Sequence, residues 1–192
     1  MPQSKADALD ESSMTRPVGS HRPPAQKNLE FKAKVRELTP LEKLFKDSGA
    51  VFVESLKQTD TYFKVSNGRL KLREARGKKP ELIFYERDET STAGMRSFYD
   101  VLPLADLSIK NFLAKSLGVK VVVEKERRLL KLKNARIHLD SVSGLGQFLE
   151  FEVVSDGDDE GDALLLERLK KMAAPFVEKE INVSYSDLVL SD

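Results

Sequence analysis

RIHLDSVSGLGQFLEFEVV, residues 136–154, reads as two strands joined by a glycine turn. In its first half Arg136, His138 and Asp140 alternate with Ile137 and Leu139; in its second, Glu150 and Glu152 alternate with Leu149, Phe151 and Val153. A period of two sends successive side chains to opposite faces of a sheet, so each half has one apolar face and one charged face. Gly144 and Gly146 shape the turn between them. Without a strand leading into a helix, their spacing is no dinucleotide motif.

The same pattern recurs along the chain. NLEFKAKVRE (28–37) sets Asn28, Glu30, Lys32 and Lys34 against Leu29, Phe31, Ala33 and Val35. RLKLRE (69–74) aligns Arg69, Lys71 and Arg73; FYER pairs Tyr85 with Arg87; VEKERR aligns Lys125 with Arg127. Further alternating segments cover 51–56, 58–65, 81–88, 96–101, 119–128, 134–140 and 147–155, and Asn67-Gly68 marks a hairpin. A capping box with proline at the first helical position, Thr39-Pro40-Leu41-Glu42, predicts a helix that ends at Gly49. Two more helices are expected over 104–117, stopping at Gly118, and over 160–173. Ser184 to Asp187 reads as a last capping box opening a short C-terminal turn. The fold class is α+β, mainly antiparallel strands with a few helices.

Composition narrows the function. Thirty-two basic residues against 31 acidic ones leave a net charge of +1, which points to neither nucleic acid nor a membrane surface. The absence of cysteine excludes disulfides, thiol nucleophiles and zinc–thiolate sites. No apolar run approaches the roughly 20 residues of a membrane span. Residues 1–27, rich in Ser, Pro, Ala and charge and lacking the apolar stretch of a secretory signal, are expected to form a disordered tail. Asp7, Asp10 and Glu11 do not suit a transit peptide. One domain is expected over 28–192, in the cytoplasm.

Like charges two residues apart on a strand lie about 6–7 Å from each other, which is unfavourable without counter-charges or a polyanion between them. Two architectures accommodate such faces. An open sheet turns them to water; a closed sheet turns them inward, with helices covering the apolar outside. Alternation alone allows both.

The ordered series NLEFKAKV, QTDTYFKVSNGRLKLRE, ELIFYERDE, SFYDV, VVVEKERRLL, RIHLDSVSGLGQFLEFEVV and SYSDLVL resembles the CYTH family, the triphosphate tunnel enzymes, from Asn28 to Leu190. The likeness is to the branch holding class IV adenylyl cyclases, with thiamine triphosphatases more distant. It implies an eight-stranded antiparallel closed β-barrel, the triphosphate tunnel, with helices packed outside. The family's opening E-x-E-x-K reads Asn28-x-Glu30-x-Lys32 here. An amide in place of the first acid weakens the case for a second tightly held ion.

The resemblance implies roles for the charged faces. Glu150 and Glu152 become ligands of Mg²⁺ or Mn²⁺, joined by Glu30 and completed by Asp140. Lys32, Arg69, Lys71, Arg73, Arg87, Lys125 and Arg127 become a triphosphate clamp, with Lys32, Arg73 and Lys125 at the reacting phosphorus. Tyr62 and Tyr85 bond phosphate, stack on a base, or simply fill the lumen. Lys34 and Arg136 belong to a tunnel mouth or to surface ion pairs. His138 reads as structural, between Arg136 and Asp140. The expected activity is metal-dependent hydrolysis of a small-molecule triphosphate: inorganic tripolyphosphate, thiamine triphosphate or a nucleoside triphosphate. A class IV-type adenylyl cyclase is the alternative, since the same side chains serve both reactions. A non-catalytic polyphosphate-binding module is a third reading, against which Glu30, Asp140, Glu150 and Glu152 together argue. The expected partner is the triphosphate alone, with the chain a monomer or a homodimer.

Overall fold

A computed structural model describes residues 26–88, 95–155 and 157–191. The alternating segments form nine strands: β1 (Gln26–Val35), β2 (Val51–Phe63), β3 (Arg69–Ala75), β4 (Glu81–Asp88), β5 (Met95–Pro103), β6 (Val119–Leu132), β7 (Ala135–Val142), β8 (Gly146–Val154) and β9 (Val177–Glu180). Among the described residues four α-helices accompany them: α1 (Leu38–Asp47), α2 (Ser108–Leu117), α3 (Asp159–Ala173) and α4 (Tyr185–Ser191). The strands make one sheet in the order β5-β4-β3-β2-β6-β7-β8-β1-β9, with an additional pairing of β5 with β1. That pairing sets Gln26 opposite Tyr99 and continues to Glu30 opposite Met95. All pairings are antiparallel, as expected.

The strand count exceeds the expected eight by one, β9. Segments 51–56 and 58–65 are one strand, β2, which pairs with β6 in continuous register through Lys57, opposite Glu126. The four residues of β9, beyond Pro175, pair with Ala33 to Val35 of β1. So short a run carries too little pattern to be read. β1 begins at Gln26, inside the expected tail; residues 1–25 of that tail lie outside the described residues.

Helix starts also shift. α1 begins at Leu38 with Glu37 as its N-cap and no side-chain cap, so the Thr39 capping box does not form. Glu42 is instead committed to Lys46 and Arg128, the latter at 2.5 Å. α2 starts at Ser108 rather than 104, where the Asp106 carboxylate accepts the Ser108 N–H at 2.7 Å. At the C-terminus the predicted box does form: the Asp187 N–H donates to Ser184 Oγ at 3.2 Å, and the Ser184 N–H donates to the Asp187 carboxylate at 3.1 Å.

The apolar faces of β1, β7 and β8 need a cover, and α1 and α3 supply it. Leu38, Leu41 and Phe45 of α1 and Leu165, Leu166 and Leu169 of α3 pack with Phe31, Ile137, Leu139, Leu149 and Phe151. Phe31 stacks on Phe151 with ring centroids 5.7 Å apart, and Phe45 meets Phe151 edge-on at 5.6 Å. Each such side chain contributes about 1.5–3 kcal/mol on burial. With the apolar side fixed outward by these helices, the charged faces of the same strands must point the other way. No helix among the described residues is long and apolar enough to cross a membrane.

Candidate functional site

Register decides which charges meet. Across β1 and β8, Glu30 faces Glu152 and Lys32 faces Glu150; across β7 and β8, Arg136 faces Glu152 and His138 faces Glu150. Across β2 and β3, Asp60 faces Arg73 and Tyr62 faces Lys71. Gln58 of β2 faces Lys125 of β6, and Arg127 of β6 faces Asp140 of β7. Glu30, Lys32, Tyr62, Lys71, Arg73, Lys125, Arg127, Arg136, Glu150 and Glu152 line one cavity of about 330 Å³, with Gln58, Asp60, His138 and Asp140 outside its lining.

One wall is acidic. Glu30, Glu150 and Glu152 line it, together with Asn28. Glu150 lies 3.2 Å from Lys32 Nζ and accepts from Arg127 Nη2 at 2.7 Å. Burial opposes its charge, but Lys32 foremost, then His138 and Arg127, hold the carboxyl well below the usual range. Glu152 is 3.5 Å from Arg136. Asp140 is placed differently. Fully buried, it does not line the cavity; it accepts two bonds from Arg127, at 2.7 and 2.6 Å, and one from the Tyr185 hydroxyl at 2.9 Å. Asp140 thus aims Arg127 at Glu150.

The opposite wall is basic. Lys71, Arg73 and Lys125 line it, and all three contact Asp60 behind them. Arg73 reaches Asp60 through two bonds, at 2.8 and 2.9 Å, while both lysines lie at 3.2 Å. Burial pushes the Lys71 ammonium down to about 7; repulsion from Arg73 adds to this and Asp60 opposes it. Burial works against the Asp60 charge, yet Arg73, Lys125 and Lys71 in that order keep it well below the usual carboxylate range. Tyr62 and Tyr85 flank Lys71, whose Nζ is 5.5 Å from each ring. Tyr185 joins the walls: Lys32 and Lys125 lie 4.5 and 5.3 Å from its ring centre.

Of the residues expected in the clamp, Lys32, Lys71, Arg73, Lys125, Arg127, Tyr62 and Tyr85 line the cavity. Arg69 does not; it pairs with Asp187 of α4 at 3.0 Å and lies against Tyr85. Arg87 is on β4, but its side chain lies outside the described residues. Arg136 lines the cavity, whereas Lys34 is exposed at the end of β1. Sequence reasoning gave no role to Asp60 or Tyr185. Asp60 shares a face of β2 with Tyr62, a signal that was available; Tyr185 belongs to a helix, where period-two alternation says nothing.

The donor set suits a divalent ion. His138, Glu150 and Glu152 offer ligand atoms all within 4.8 Å of one another. The buried Asn28 Oδ1, on the same wall, has no hydrogen-bond partner among the described residues. Such an orphaned acceptor is costly unless a cation or water meets it.

Solved structures share this architecture. A Pyrococcus horikoshii protein, PH1012, is 22% identical with a TM-score of 0.71 over 84% of this chain and 98% of its own. A proposed adenylate cyclase from Vibrio parahaemolyticus is 20% identical with a TM-score of 0.69, over 88% of this chain and 99% of its own. HpAC1 from Hippeastrum, a proposed adenylyl cyclase described as having dominant triphosphatase activity, is 15% identical with a TM-score of 0.58, over 86% and 95%. At these identities the likeness is one of fold. No curated protein matches the chain. The CYTH domain pattern matches residues 26–185, which takes in all nine strands and both walls of the cavity; the chain belongs to the CYTH domain family.

Proposed function

We propose that this chain is a divalent-metal-dependent triphosphatase whose substrate lies in a tunnel through a closed barrel. The observation that carries the reading is the segregation of buried and half-buried charge, with Glu30, Glu150 and Glu152 on one wall and Lys71, Arg73 and Lys125 on the other. The pairing of β5 with β1, beside the continuous order of the other strands, supports closure. A triphosphate carries about four negative charges, and removing it from water requires cations on every side.

Glu150 and Glu152, with Glu30, would hold Mg²⁺ or Mn²⁺, which when bound neutralises phosphate oxygens. Arg73 offers a planar fork to one phosphate, and Lys71 and Lys125 act as point charges on its neighbours. Lys32, between Glu150 and Tyr185, bridges the two walls at the phosphorus under attack. Water attacks the terminal phosphorus, the bridging P–O bond breaks, and orthophosphate leaves separately from the remaining diphosphate. The residues position and stabilise; no covalent enzyme intermediate is required.

A second reading is a class IV-type adenylyl cyclase, in which a ribose 3′-hydroxyl attacks the α-phosphate and pyrophosphate leaves. Ile83, Tyr85, Tyr99 and Val101 give the cavity a half-apolar side on which a base stacks. Product analysis separates the readings. ATP, thiamine triphosphate and tripolyphosphate are each incubated with Mg²⁺ or Mn²⁺. Orthophosphate release is the expected result, abolished in Glu150→Ala and Glu152→Ala variants that remain folded. Cyclic AMP would transfer the conclusion to the cyclase; tight binding without product would leave a binding module.

A further inference from the structure

We infer that His138 is a protein ligand of the divalent ion, adding one nitrogen to the carboxylates and making the centre a mixed site rather than an all-oxygen one. This rests on the reading that Glu150 and Glu152 hold the metal. His138 is 4% exposed, and its Nδ1 has no hydrogen-bond partner among the described residues. A buried ring nitrogen is ordinarily paired with a carbonyl, a carboxylate or water. Here Nδ1 lies 3.6 Å from Glu150 Oε2 and 3.6 Å from Glu152 Oε1.

That distance is beyond an N–H···O bond, whose range ends near 3.2 Å. It suits two ligands of one ion. Donors each about 2.1 Å from a common centre stand about 3.0–3.4 Å apart for right-angled or tetrahedral geometry. Nδ1 and each carboxylate oxygen therefore need to draw together by only a few tenths of an ångström, while the ligand atoms of all three residues lie within 4.8 Å of one another. The backbone builds the triangle: His138 faces Glu150 across β7 and β8, and Glu152 follows on the same face of β8. Glu150 Oε2 also accepts from Arg127 at 2.7 Å, and a carboxylate oxygen has lone pairs for both partners.

An imidazole ligand changes which ion is preferred. Carboxylates alone suit Mg²⁺; a ring nitrogen moves the preference toward Mn²⁺ and the later first-row ions. The test uses Mn²⁺ alone, without substrate, on the tag-free full chain. Pulsed electron paramagnetic resonance should give the ¹⁴N coupling of a directly bonded imidazole. It should persist in His21→Gln, which removes the other of the two histidines, and vanish in His138→Gln. Titration should show Mn²⁺ affinity falling about tenfold or more in His138→Gln, the scale of losing a metal-site group, while Mg²⁺ affinity changes far less. Bound Mn²⁺ without nitrogen coupling in the unmodified chain overturns the histidine and leaves the acidic wall standing. Unchanged Mn²⁺ affinity in a Glu150→Gln, Glu152→Gln double variant overturns the acidic wall itself. Failure of the unmodified chain to bind Mn²⁺ overturns both.

Discussion

Lys71 is the side chain whose charge depends most on what enters the cavity. Buried and repelled by Arg73, it titrates at about 7 in the free protein. The folded value is below that of an unfolded lysine, so between about 7 and 10.5 the unfolded chain holds more protons and stability rises with pH. A polyanion reverses the balance by restoring the ammonium. Tripolyphosphate binding at pH 8.5 should therefore take up about one proton, and affinity should fall as pH climbs above 7. Calorimetry in buffers of different ionisation enthalpy measures the uptake, which Lys71→Met should abolish; buffer-independent heats in the unmodified chain would refute it. Asp60 carries the complementary prediction. It is 1% exposed and is the shared partner of Lys71, Arg73 and Lys125. Asp60→Asn leaves buried Lys125 and half-buried Lys71 and Arg73 without their shared counter-charge and should cost about 3–5 kcal/mol in urea unfolding. A loss below about 1 kcal/mol would mean that the cations re-solvate freely.

Among elements, the β2–β3 hairpin shows where a single backbone position governs the site. Asp60 and Tyr62 meet Arg73 and Lys71 only if the turn keeps its register. Gly68, in that turn, has φ of +61°, and a Cβ there would lie 2.7 Å from the Phe84 ring and 2.9 Å from the Tyr85 carbonyl. Gly68→Ala should therefore lose at least the roughly 1–2 kcal/mol of left-handed strain, with the contact added, and should weaken triphosphate binding through Tyr85. Equilibrium unfolding and a binding titration check both; an unchanged unfolding midpoint would contradict the steric argument. Asn67-Gly68 was legible in the sequence because turn chemistry is local. The charged faces were legible for the same reason, since Glu150 and Glu152 declare their common face by spacing alone. What spacing cannot declare is the partner strand. Asp140 and Glu150 look equivalent along the chain, yet Arg127 and Tyr185 surround Asp140 and remove it from the cavity wall. Arg69 likewise has the alternation of Arg73, but α4 brings Asp187 to it from a distant part of the sequence.

At the scale of the whole molecule, the site is a store of charge that folding holds together against repulsion and desolvation. Asp60, Asp140, Glu150 and Glu152 are all depressed by their cationic partners, burial opposing in each case. Their folded values lie below the unfolded ones, so their stabilisation is complete above about pH 4.5 and is lost as pH falls through the folded values. Acid should unfold the protein where those carboxylates protonate. A bound triphosphate acts on the same balance from the cationic side. At a hundred times its dissociation constant a ligand adds about 2.7 kcal/mol, which for a chain of this size raises Tm by about 5–11 °C. Inorganic tripolyphosphate should produce that shift near pH 7, and orthophosphate, too short to span Lys71, Arg73 and Lys125, should not. Asp60→Asn sharpens the argument. Lys71, Arg73 and Lys125 then lack their internal counter-charge, so the variant should bind tripolyphosphate more tightly and, at the same ligand concentration, gain more stability than the unmodified chain. Scanning calorimetry at matched ligand concentration reads the difference directly. An equal Tm shift in both proteins would mean that the polyanion does not meet the cations that Asp60 holds.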